Sequence, residues 1–199
     1  MGKLKSALEI AMEKAEKLDR LSSEEIQKIK EEEKIKTLLS KFYLGKIRTN
    51  DLWEKLQGSS PSLLKNAQII LINSLNFNNN PHELKLRKEG ILALESLKKN
   101  NNISILENLL TQLNSLKNEF VKNIKYMEEK AKAELEKDPQ SRLKTIRQGD
   151  KLIVMQLSVE EALQQNSHWK DFLHQQEEKY YQQFERLREK IKQTLEQSD

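Results

Sequence analysis

The sequence predicts a mostly α protein: an elongated helical bundle of antiparallel, coiled-coil-like long helices carrying one small β-hairpin at about 142–157. Three observations predict it. Good helix formers (Leu, Lys, Glu, Gln, Ala and Ile) dominate, and only 5 Gly and 3 Pro interrupt 199 residues. Apolar residues recur at spacings of three and four through long stretches, which is the period of an amphipathic helix. Only one short stretch changes to a strand-like pattern around a Gly-Asp pair. The chain is 36% apolar and 33% charged, thin for one round core and suited to helices that each bury a stripe.

The first helix is predicted from about Lys3 to Arg20. Leu4, Leu8, Ala11, Ala15 and Leu18 form a narrow seam on it, with small residues that allow close helix approach. Ser22 and Glu25 have the spacing of a capping box, so a second helix restarts at Ser23 and stops near Gly45. A short helix from Asn50 to Gln57 ends at Gly58. Ser60 then caps a helix with Pro61 at its first position, whose Ala67–Ile72 stretch is apolar on most sides. Pro81 opens another helix to about Lys99, between two Asn triplets that act as loops.

One long helix is predicted from Ile103 to about Lys137, seamed by Ile103, Leu106, Leu110, Leu113, Phe120, Ile124, Met127 and Ala131, with Lys117 as a polar exception. Asp138-Pro139 ends it. Gln148-Gly149-Asp150, flanked by β-branched and apolar residues, predicts the hairpin. A two-stranded hairpin is barely stable alone, so it should pack on helices or pair with another copy. Ser158 and Glu161 repeat the capping box, and a last long helix follows to about Glu196, with a break near Asn166-Ser167. The expected organisation is a helical pair at 1–45, a small helical subdomain at 46–100, and a long helix, hairpin and long helix at 101–199. That last order resembles prefoldin-type chaperone subunits. The resemblance covers about half the chain, is topological, and transfers no functional residue.

Composition excludes several chemistries. With no Cys there is no disulfide, thiolate nucleophile, thiolate zinc site or iron–sulfur ligation, and a reducing cytoplasm is the expected location. No apolar run reaches the roughly 18–20 residues of a membrane span. Lys5, Ser6 and Glu9 interrupt the apolar stretch that a signal peptide would need. The net charge of +4 is small, and segment 139–157 is the most one-sided, with 4 basic residues against 1 acidic. Elsewhere the signs interleave, as on solvated helix faces.

Candidate sites are few. His168, Asp171 and His174, with Glu177, recur every three residues. All are metal-ligand types, but steps of three drift around a helix, so all four cannot share one ion. The bland reading is a polar helix face. No nucleophile motif and no glycine-rich phosphate loop is present, so no catalytic residue and no cofactor is assigned. Lys85, Arg87 and Lys88 lie on one helical turn that should be exposed, and Arg142, Lys144, Arg147 and Lys151 cluster at the hairpin. Such groups suit phosphate contacts, or else simply solvate an apolar hairpin. Tyr180 and Tyr181, beside Phe184, read as a packing seam with Tyr181 partly exposed to a partner.

The expectation is therefore a non-enzymatic helical assembly, adaptor or chaperone-like protein. It self-associates or binds a protein partner through Leu4, Leu8, Ala11, Ala15, Leu18, Tyr180 and Tyr181. A nucleic-acid-associated protein using the basic hairpin is the alternative, and a helical metalloprotein the second. No membrane or small-molecule partner is expected.

Overall fold

The computed structural model describes residues 22–197. Its elements, in chain order, are seven helices among the described residues and one two-stranded sheet. They are α1 (Ser23–Tyr43), α2 (Thr49–Leu56), α3 (Pro61–Asn73), α4 (Pro81–Glu95), α5 (Ile103–Lys137), β1 (Leu143–Gln148), β2 (Lys151–Gln156), α6 (Val159–Gln165) and α7 (Ser167–Glu196). A 3-10 turn at Pro139–Arg142 joins α5 to β1. The mostly α fold with one small hairpin is as the sequence predicts. The first seam, Leu4 to Leu18, lies outside the described residues.

Helix boundaries follow from caps. The Ser22 hydroxyl accepts from Glu25 N at 3.3 Å, and the Glu25 carboxylate accepts from Ser22 N at 2.8 Å. Two of the four N–H groups that a helix start leaves orphaned are thus satisfied reciprocally. Ser158 and Glu161 do the same for α6, at 3.2 and 2.9 Å. The backbone N–H of each serine holds its partner glutamate below the ordinary glutamate range. Gly45, past the end of α1, has φ 67°, the left-handed conformation that favours glycine at a helix C-terminus. α4 stops at Glu95, about one turn before the expected Lys99. Residues 96–102 carry the chain to α5 through turns and loop in which Asn102 N donates to the Glu95 carboxylate at 2.8 Å.

The chain folds as two compact units. One contains α1 to α4. Here α1 packs on α2 and α3, and Ile35, Leu39, Phe42, Leu52, Leu64, Ala67, Leu71, Ile72, Ile91 and Leu94 are almost completely buried. Gly90 is the closest approach: a Cβ there would lie 2.9 Å from Phe42 Cε1 and 3.3 Å from Leu71 Cδ1. A polar knot sits inside the apolar shell. Glu95, fully buried, accepts from Gln68 Nε2 at 2.8 Å and lies 3.1 Å from the Lys98 ammonium. Gln68 Nε2 also donates to Ile91 O at 3.2 Å, tying α3 to α4.

The second unit comprises residues 76–81 and 104–194. Leu106, Leu110 and Leu113 of α5 are buried, as the seam predicts. An aromatic cluster centres on Phe77. Its ring meets Phe120 edge-on at 5.1 Å and Phe184 at 5.8 Å, and Phe120 meets Tyr180 at 5.3 Å. Such edge-to-face pairs place positive ring edges on negative faces. Asn166 breaks the C-terminal run: it ends α6 and its side chain caps α7 by accepting from Trp169 N at 3.1 Å.

Candidate functional site

The hairpin is the most exposed ordered element among the described residues. β1 and β2 pair antiparallel from Leu143↔Gln156 to Gln148↔Lys151. Gly149 has φ 61° and Asp150 does not, which is the backbone of a two-residue type II′ turn. No residue of either strand is buried. Residues alternate between two faces. One face carries Leu143, Thr145 and Arg147 beside Gln156, Val154 and Leu152. The other carries Lys144, Ile146 and Gln148 beside Met155, Ile153 and Lys151. Each face therefore presents three large apolar side chains to water, from Ile146 at 37% exposed to Leu152 at 73%. Of the two expectations for the hairpin, packing on helices or pairing with another copy, the first is not met, since both faces are open in the single chain.

The edges differ. Leu157 N donates to Arg142 O at 2.9 Å. With the alternation of an antiparallel ladder, this turns the backbone groups of Leu143, Thr145 and Arg147 outward on β1, and those of Leu152, Val154 and Gln156 outward on β2. Lys144 and Arg147 lie along β1. β2 runs Leu152-Ile153-Val154-Met155 with no charge until Lys151 at its turn end.

The basic side chains do not form a stripe. Arg147 is on one face, and Lys144 and Lys151 are on the other. Arg142 Nη1 donates to Leu157 O at 3.1 Å, Arg147 Nε to Gly149 O at 3.2 Å, and Lys144 Nζ to Gln165 Oε1. Nor are Lys85, Arg87 and Lys88 one exposed turn. Lys85 is exposed, with Glu89 at 3.9 Å, while Arg87 and Lys88 are half-buried. Arg87 Nε donates to Ser74 Oγ at 3.0 Å, and its guanidinium lies 5.2 Å above the Tyr43 ring. Tyr43 donates to the same hydroxyl at 3.0 Å. Burial raises its phenol above the ordinary tyrosine range, against the opposing pulls of the Ser74 hydrogen bond and the Arg87 charge.

His168, Asp171 and His174 are all exposed on α7, and no three metal-ligand side chains converge among the described residues. His168 instead rims an open groove of about 660 Å3, floored by Met127, Ala131, Leu163, Trp169 and Phe172. Trp169 and Phe172 stack at 5.4 Å. Tyr180 is buried and donates to Glu119 Oε1 at 3.1 Å, so it belongs to the core and not to a partner surface. Burial, then that carboxylate, raises its pKa. Tyr181 is 48% exposed. No helix among the described residues is long and apolar enough to cross a membrane.

Sequence reasoning missed the two-faced exposure of the hairpin. The signal was the register: counted from the Gly-Asp turn, apolar residues fall on both sides of the ribbon.

These features define a helix-rich protein with an uncovered β-ribbon and no cluster of three metal-ligand side chains among the described residues. The chain belongs to a family of unknown function, DUF6657, whose model matches residues 50–193. No curated protein and no solved structure matches the chain.

Proposed function

We propose that this is a non-enzymatic, cytoplasmic assembly protein that self-associates, with the hairpin as its docking element. One observation carries the reading: six large apolar side chains stand exposed on a ribbon with two open edges. A hairpin of two strands gains little stability alone. An open edge with apolar faces is a template for pairing with another chain. Covering those side chains contributes about 25 cal/mol per Å2 of apolar surface removed from water. The coiled-coil-like seams of the long helices supply frame and reach, as in an adaptor or chaperone-like scaffold.

The test is the mass of the full chain in solution. Light scattering at micromolar concentration is expected to give a multiple of the 23.4 kDa chain mass. Replacing residues 143–156 with a short Gly-Ser linker is expected to reduce it to the monomer. A full-length monomer at that concentration refutes the reading.

A further inference from the structure

We infer that the hairpin pairs with a second copy of itself through β2, edge to edge, in antiparallel register centred on Ile153. The inference rests on the self-association proposed above and names the partner edge and its register.

Charge decides between the two edges. In a two-fold pairing of β1 centred on Thr145, Lys144 of each copy falls diagonally beside its counterpart on one face, at roughly 7–8 Å, and like charges so placed repel. β2 has no such cost. Pairing centred on Ile153 sets Leu152 opposite Val154 of the second copy and Lys151 opposite Met155. The two Lys151 side chains are then four residues apart along the ladder, about 14 Å at 3.4 Å per residue, beyond the screening length of about 10 Å at 0.1 M salt. The backbone parity also matches. Leu152 and Val154, whose hydrogen-bonding groups point outward, meet each other as bonded pairs, and Ile153 meets its counterpart as a non-bonded pair.

The resulting sheet has the order β1-β2-β2-β1 and one continuous row of isoleucine. Ile146 and Ile153 already face each other within one hairpin, and the second copy extends the row to four side chains. The two-fold axis closes the assembly at a dimer, whereas pairing β1 of one copy to β2 of the next would propagate. Lys144 and Arg147 guard the outer β1 edges against that propagation.

The chain has no cysteine, so single-cysteine variants report pairing cleanly. A non-bonded antiparallel pair holds its Cα atoms about 4.5 Å apart, inside the range a disulfide spans. Ile153→Cys is expected to give a disulfide-linked dimer under mild oxidation, and Thr145→Cys is expected to stay monomeric on a non-reducing gel. Val154→Pro removes an outward N–H at a position where an edge strand tolerates proline. It is expected to keep the helical circular dichroism and to shift the light-scattering mass to that of a monomer. An oligomer that cross-links at Thr145 and not at Ile153, or equally at both, overturns the β2 register and leaves self-association standing. An oligomer unaffected by Val154→Pro does the same. A full-length monomer removes both.

Discussion

Glu95→Ala tests whether the buried polar knot holds the first unit together. Glu95 is fully buried, and the Lys98 side chain beside it is 4% exposed. The carboxylate accepts from Gln68 Nε2 and Asn102 N, each at 2.8 Å, and faces the ammonium at 3.1 Å. Alanine removes all three partners at once and leaves a cation in an apolar shell. Breaking one side of a buried ion pair costs about 3–5 kcal/mol. The hydrogen bonds are not added on top, because they act on the same carboxylate and such terms do not sum. Against a total stability of about 5–15 kcal/mol, the loss is large. Urea unfolding followed by circular dichroism is expected to show a midpoint lowered in that proportion with an unchanged slope. Glu95→Gln combined with Lys98→Met retains an acceptor and buries no charge, so it is expected to recover most of the loss. The double-mutant coupling should exceed about 1 kcal/mol. If Glu95→Ala sits within about 0.5 kcal/mol of the parent, as surface substitutions do, the knot is not what joins α3 to α4.

Three further outcomes follow from the geometry. Gly90→Ala drives a methyl to 2.9 Å from Phe42 Cε1; overpacking of this kind costs about 1–3 kcal/mol, read as a lowered melting temperature, and an unchanged one would show that the Phe42 ring yields freely. Ser60→Ala removes the hydroxyl that accepts from Leu63 N at 3.3 Å and is expected to cost about 1 kcal/mol in urea, whereas a cost near zero would mean that Pro61 alone starts α3. Glu161 has its folded-state pKa depressed by the Ser158 backbone N–H, so its contribution to stability is present above the unfolded glutamate value and is lost as pH falls through the lower folded value. The Ser158 amide resonance should therefore titrate below the ordinary glutamate range, and a midpoint within that range contradicts the capping box.

Much of the helical frame is legible in the residues, for local reasons. Capping boxes at Ser22 and Ser158, Pro61 after Ser60, and Asp138-Pro139 each act within a few residues, so spacing alone places the ends. The α5 seam is equally readable, because its period belongs to one helix. What could not be read depends on partners distant in sequence. Arg87 looks like part of a basic turn until Tyr43 and Ser74, from other segments, enclose it. Tyr180 and Tyr181 are neighbours of the same type, and only the position of Glu119, 61 residues away, makes one core and leaves the other exposed. Nothing in the sequence sets Glu95 and Lys98 apart, because opposite charges at i,i+3 spacing are common on wet helices. Their burial arises from Gln68 across the unit. The metal-type residues on α7 keep the spacing seen in the sequence but gain no further ligand among the described residues.

The contrast between the first unit and the hairpin bears directly on how the chain works. In the first unit, one charged pair, Glu95 and Lys98, is drawn inside, and Glu95 also finds Gln68 and Asn102 as partners within the same unit. In the hairpin, residues of high β propensity and high apolarity are held by a two-residue turn and their own ladder, with no side chain buried. A sequence that needed only to connect α5 to α6 could do so with a few polar residues. It would gain nothing from Leu152, Ile153, Val154 and Met155 in succession, which expose it to aggregation. Lys144 and Arg147 on β1 and a clean β2 restrict that hazard to one edge. An interaction limited to one edge favours a closed pair over an open fibre, and this asymmetry is the ground on which the proposed self-pairing through β2 is preferred to solvation of a connecting loop.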